Sequence, residues 1–155
     1  MIKILFISLG CDKNLVDSEF MLGMLQENGF SITCEESEAD VIIINTCCFI
    51  HDAKEESIQT ILEMAEYKKT GNLKALIVTG CLAQRYYKEI GTELPEVDAV
   101  LGTTAYDRIC DVIKETLAGK GSVTLGDLNA LPLQETRRLV TTGGHYAYLK
   151  IAEGC

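Results

Sequence analysis

The chain has 155 residues, of which 47% are hydrophobic, and carries a formal net charge of −9 from 14 Lys and Arg against 23 Asp and Glu. That suits one domain of ordinary size plus a tail, and it excludes a globally disordered chain. The acidic balance excludes a general nucleic-acid clamp, which would show a basic stripe, and no apolar run approaches the ~20 residues needed to cross a bilayer.

The first apolar run, residues 2–9, follows Met1 and faintly resembles a short signal peptide. No Ala-x-Ala-like cleavage site follows it, so it reads as a buried first strand in a cytoplasmic protein. A helix is expected over 13–28, with Val16, Phe20 and Met24 on one stripe and Gly29 as its stop. Short and long strands are expected at 30–34 and 40–45. A helix over 52–69 follows, opened by Asp52 and Glu55 in the manner of a capping box and ended by Gly71. A fourth strand is expected at 74–79, a helix at 82–90, a fifth strand at 97–101 and a last helix at 105–117. This alternation predicts an α/β fold, a flavodoxin-like doubly wound parallel five-stranded sheet of order 2-1-3-4-5, with helices on both faces.

Residues 119–145 lose the pattern. Gly121, Gly126, Pro132, Gly143 and Gly144 punctuate a mostly polar stretch that reads as a linker. Residues 146–151 then suggest the first strand of another domain, of which 146–155 would be the truncated start. The expected organisation is a domain at 1–118, a linker at 119–145 and a fragmentary second domain.

Seven cysteines, an odd count without a secretion signal, favour metal or catalytic use over structural disulfides. Cys11, Cys47 and Cys81 each close a strand-like apolar run and lie about 35 residues apart. In a parallel sheet, adjacent strands bring their carboxyl ends to one edge, so the order 2-1-3-4-5 would gather these three thiols. A single strand-end cysteine is more often packing than ligand, but three at equivalent ends favour a shared inorganic centre. The chain has no Cys-x-x-Cys pair of the kind that holds structural zinc. Three thiolates on a four-cornered iron–sulfur cube would leave one iron open for chemistry. Cys11 and Cys81 precede expected helices, whose positive ends favour a negatively charged ligand atom, and Gly10 and Gly80 permit close backbone approach.

The other candidates read as structural. Cys34 and Cys110 are expected in the core, and Cys48 is expected to point away from its neighbour's face. His51 is expected at a surface helix start, and His145 in the linker. Met21 and Met24 are expected to pack, and residues 35–38 to form a solvated acidic turn.

Longer motifs add a resemblance. Ser8-Leu9-Gly10-Cys11-Asp12-Lys13-Asn14-Leu15-Val16-Asp17-Ser18-Glu19 resembles the N-terminal signature of the radical S-adenosylmethionine methylthiotransferases. Asn45-Thr46-Cys47, Ala53-Lys54-Glu55-Glu56-Ser57 and Thr79-Gly80-Cys81-Leu82-Ala83-Gln84-Arg85-Tyr86 continue it in order. The resemblance covers nearly residues 1–117, and Lys150-Ile151-Ala152-Glu153-Gly154-Cys155 fits as well. It implies that Cys11, Cys47 and Cys81 hold an auxiliary [4Fe–4S] cluster. Cys155 would be the first ligand of a second, radical-generating [4Fe–4S] cluster that uses S-adenosyl-L-methionine. It also implies a ribosomal small-subunit protein as substrate, methylthiolated at an aspartate β-carbon, and a reductant protein as partner. Asp12 stands where the family commonly has Pro, and Cys48 where it commonly has Gly.

The transfer-RNA adenosine branch of the same family usually carries Gln-Met-Asn where this chain has Asp12-Lys13-Asn14, which favours the ribosomal-protein branch. A flavodoxin-like electron-transfer module would need a phosphate-cradling loop after strand one, and Cys11-Asp12-Lys13-Asn14 is not one. A regulatory module with structural thiols is the third class. With one of three radical-cluster ligands, the chain alone is expected to be inactive.

Overall fold

The computed structural model describes residues 1–130 and 137–152. In chain order the strands are β1 (Lys3–Ser8), β2 (Ser31–Thr33), β3 (Val41–Thr46), β4 (Ala75–Gly80), β5 (Ala99–Leu101) and β6 (Ser122–Thr124). The helices are α1 (Asp12–Glu27), α2 (His51–Ala65), α3 (Tyr67–Thr70), α4 (Cys81–Glu93) and α5 (Ile109–Leu117), with 3-10 turns at Glu36–Glu38 and Tyr106–Arg108. All pairings are parallel, and the sheet order is β2-β1-β3-β4-β5-β6.

The doubly wound α/β fold and the 2-1-3-4-5 order agree with the sequence reading. The strand count does not: there are six strands, not five. β6 lies inside the stretch 119–145 read as linker and pairs with β5 through Val100↔Val123. It is three residues long, with one apolar side chain between Ser122 and Thr124, too short to show a period of two.

Every residue of β3 and β4 is buried, as expected for central parallel strands covered on both faces. Alternation divides them between two cores. Val41, Ile43, Ala75 and Ile77 pack with Met21 and Leu25 of α1 and with Ile109, Val112 and Ile113 of α5. Ile42, Ile44, Leu76 and Val78 pack with Ile61 of α2 and with Leu82, Ala83 and Ile90 of α4. The expected packing roles of Met21, Met24 and Cys110 are met in the first core.

Three local expectations are corrected. Helix α2 begins at His51 with Ile50 as N-cap and no side-chain cap, so Asp52 sits inside the first turn and the capping box does not form. Cys34 is exposed, because β2 is a short edge strand and the residue lies beyond it. Residues 146–151 form no strand: the Tyr148 carbonyl accepts a hydrogen bond from Arg138, and the Lys150 ammonium turns to Asp17. Among the described residues, no helix is long and apolar enough to cross a membrane.

A candidate three-thiol centre at the carboxyl edge

The register Ser8↔Asn45 and Asn45↔Thr79 aligns the carboxyl ends of β1, β3 and β4. Cys11 is the N-cap of α1, Cys47 directly follows β3, and Cys81 opens α4. The three candidate ligands therefore stand on three neighbouring strands at one edge. Cys47 is buried, Cys81 half-buried and Cys11 exposed at the rim. Cys155 lies outside the described residues, as do residues 131–136 of the expected linker.

Two glycines make the approach possible. Gly10 (φ +92°) and Gly80 (φ +94°) occupy the left-handed region just before Cys11 and Cys81. A Cβ on Gly10 would lie 2.6 Å from the Cys47 Cβ and 3.0 Å from its Sγ. The Cys47 side chain thus rests against the backbone that leads into Cys11. A Cβ on Gly80 would run into Asn45 Oδ1 and the Thr46 backbone.

Buried polar side chains hold the edge together. Asn14, 1% exposed, donates from Nδ2 to Leu9 O (3.2 Å) and Thr46 O (2.9 Å). Its Oδ1 lies 3.7 Å from Cys81 Sγ. Asn45 donates to Asn14 O (2.8 Å) and Ser18 Oγ (2.9 Å), and Thr46 Oγ1 donates to Thr79 O (2.6 Å). Ser57 of α2 serves both backbone groups of Cys47. Its Oγ accepts from Cys47 N (3.0 Å), and its hydroxyl donates to Cys47 O (2.9 Å). The irregular segment after β3 therefore carries no orphaned backbone group at its cysteine.

A second polar cluster binds residues 137–152 across α1. The Glu19 carboxylate, with a side chain 0% exposed, accepts from Arg138 Nε (2.6 Å), Thr141 N (2.7 Å) and Thr141 Oγ1 (2.8 Å). Asp17 pairs with Lys150 (2.5 Å) and Lys13 (3.2 Å). Arg138 also lies 5.9 Å from the Phe20 ring centroid, and Lys150 lies 5.3 Å from that of Tyr106. At Gly23, a Cβ would strike the Arg137 carbonyl, so the strap lies directly on the helix backbone. Burial pushes the Glu19 carboxyl up. The hydrogen bonds from Thr141 and Arg138, with the Arg138 charge, outweigh it and hold the group below its ordinary value.

Thiolates are soft donors of the kind that iron–sulfur clusters use. Among the described residues, no three His, Cys, Asp or Glu side chains are gathered tightly enough to hold one metal ion. A cubane instead binds each thiolate at a separate iron corner, so it needs sulfurs that are neighbours around a shared space rather than in mutual contact. The three thiols stand at the ends of adjacent strands, one buried and one at the rim. Cys110 and Cys48 pack elsewhere. Cys110 packs against α1 with Sγ 3.8 Å from Met24 O, and burial raises its thiol pKa. Cys48 packs against the α2/α4 core, consistent with the expectation that it faces away from its neighbour. His51 is exposed and pairs with Glu55 (3.1 Å), and His145 is also exposed.

Asn14, Asp17, Glu19 and Ser57 stand within the family-like motifs and Arg138 in the stretch after them, and no local pattern marks their roles. Asn14 and Ser18 sit four residues apart, one face of a helix, where an ordinary amphipathic pattern would place apolar side chains. That departure was the available signal.

Fold and edge together define an α/β protein with three cysteines at the carboxyl ends of adjacent parallel strands. The profile of the family described as Uncharacterized protein family UPF0004 matches residues 3–102, and the chain belongs to that family. It is 65% identical over 153 residues to a Lachnoclostridium phytofermentans protein named ribosomal protein uS12 methylthiotransferase RimO, covering 99% of this chain and 35% of that one. Proteins of the same name from Clostridioides difficile and Trichlorobacter lovleyi are 52% and 51% identical, over 100% and 99% of this chain and 35% and 34% of theirs. The chain thus spans about a third of the length of the curated relatives it matches.

Proposed function

We propose that the chain is the auxiliary-cluster part of a methylthiotransferase that modifies an aspartate of ribosomal small-subunit protein uS12. Cys11, Cys47 and Cys81 would hold a [4Fe–4S] cluster, and Cys155 would be the first ligand of a second one that works with S-adenosyl-L-methionine. The observation that carries the reading is the arrival of three thiols on adjacent strand ends, braced by Asn14. The names borne by the relatives supply the reaction and the substrate, and favour the ribosomal-protein branch over the transfer-RNA branch. When bound, the auxiliary cluster would supply an open iron for sulfur chemistry.

This chain's own residues do the positioning. Gly10 and Gly80 let the backbone close on the site. Ser57 fixes the Cys47 main chain, and the hydrophobic strands behind the edge exclude water from one side. Residues 1–118 form the cluster-bearing domain in this reading, and 146–155 open the next. A cytoplasmic location and a reductant protein as electron source belong to the same proposal.

Anaerobic reconstitution with iron and sulfide, followed by absorption spectroscopy and iron counting, tests it. The expected result is one iron–sulfur chromophore per chain, abolished by changing Cys11, Cys47 and Cys81 together to Ala. No chromophore in the wild type, or one unaltered in the triple variant, overturns it.

A further inference from the structure

We infer that Asn14 is a positioning residue for the three-thiol centre: its one carboxamide fixes the strand ends that present Cys11, Cys47 and Cys81. The inference rests on the reading of those cysteines as joint ligands, and it assigns a role to a residue that ligates nothing.

A carboxamide offers two N–H donors and one carbonyl acceptor. At Asn14 each is aimed at a different strand end. One donation goes to Leu9 O, two residues before Cys11; the other goes to Thr46 O, one residue before Cys47. The acceptor faces Cys81 Sγ directly. These two carbonyls lie at the carboxyl ends of β1 and β3, and Asn14 supplies each with a donor. The amide orientation follows from them, since two carbonyl acceptors require the nitrogen on their side. Asn14 is itself held by Asn45 through its own carbonyl, and by its place in the first turn of the helix that Cys11 caps. A Cβ on Gly10 would stand 3.2 Å from Asn14 Nδ2, so the glycine backbone and the amide are packed as one unit. Asp keeps the shape and the acceptor but has no N–H, and it would set a carboxylate against two carbonyl oxygens. Leu keeps the volume and loses all three contacts.

The test compares wild type with Asn14→Ala, Asn14→Asp and a control, Val112→Ala. The control weakens the α5 face of the core and does not touch the edge. Two readouts are taken. The first is backbone hydrogen exchange in metal-free protein. Both Asn14 variants should exchange about ten-fold faster at the strand ends around residues 9–11, 46–48 and 80–82 together, and the control should not. The second is the rate of iron release to a chelator from anaerobically reconstituted protein. It should rise about ten-fold in both Asn14 variants and stay at the wild-type value in the control. The inference is overturned if exchange quickens only within α1 or evenly across the chain, or if iron leaves the Asn14 variants no faster than it leaves Val112→Ala. A wild type that takes up no cluster overturns the functional reading itself, and is distinguished from the other failures because it appears before any variant is made.

Discussion

Glu19 offers the sharpest test of how residues 137–152 are held. Its carboxylate is wholly enclosed and receives the Arg138 guanidinium at 2.5 and 2.6 Å and two donors from Thr141 at 2.7 and 2.8 Å. Its main-chain carbonyl accepts from Leu139 N at 3.0 Å. Replacing Glu19 by Ala leaves Arg138 17% exposed and without its carboxylate, a change that costs about 3–5 kcal/mol when one member of a buried pair is removed. Glu19→Gln keeps shape and the Thr141 bonds but loses the charge, which should cost about 1.5–3 kcal/mol. The strap can peel away before the sheet melts, so part of this loss should appear as local opening rather than global unfolding. Urea denaturation measures the global part, and limited trypsin cleavage after Arg137 and Arg138 measures the local part. The pH dependence has a fixed sign. The folded pKa of Glu19 lies below its ordinary value, so its contribution is complete above that value and is lost as pH falls through the depressed one. Asp40, held down by the Lys3 backbone N–H and by Lys74, adds a slope in the same direction. Glu19→Gln should therefore flatten the acid side of the stability curve below pH ~4.3 and leave the neutral side parallel to wild type. A Glu19→Ala variant within about 0.5 kcal/mol of wild type, with unchanged cleavage after Arg137 and Arg138, would refute the account.

Gly10→Ala and Gly80→Ala should each destabilise by about 2–4 kcal/mol, from left-handed backbone plus overlap with Cys47 or with Asn45 and Thr46, and thermal melting reads this directly. Ser57→Ala removes both partners of the Cys47 main chain, with an expected loss of about 1–3 kcal/mol by denaturant titration and lower iron uptake on reconstitution. In metal-free protein, iodoacetamide should label exposed Cys11 and Cys34 before buried Cys110, whose thiol pKa is raised by burial; peptide mass mapping over time gives the order.

The central strands were legible because burial on both faces leaves unbroken apolar runs, and no reading but a covered parallel strand suits Val41–Thr46 or Ala75–Gly80. A flavodoxin-like order, expected from the strand–helix alternation, sets β1, β3 and β4 side by side, and they are neighbours. Among the short strands, β2 and β5 were legible and β6 was not. β6 has one apolar residue, and its existence depends on the exposed edge of β5, a tertiary fact. The capping box failed for a related reason. Asp52 and Glu55 carry the right letters, but the backbone had already turned helical at His51, and acidic side chains in a first turn are favourable without capping anything.

Helix α1 explains why the site's supports were harder to read than its cysteines. An ordinary surface helix shows one apolar face; α1 has three separate obligations. Met21, Met24 and Leu25 meet the sheet, Asn14 and Ser18 meet the carboxyl edge, and Asp17 and Glu19 meet the strap formed by residues 137–152. Nine residues of α1 are buried, and four of them are polar, so the helical period is blurred where it carries most information. Each of those polar groups has a partner more than twenty residues away in sequence, and local propensity is blind to such pairings. The arrangement also has a mechanical consequence. The helix that Cys11 caps is the same helix that grips Arg138 and Lys150, so displacing the strap would act on a body that already carries one of the three thiols. Residues that look like mere solubilising charge in the linear chain are therefore the ones that tie the strap to the thiol edge.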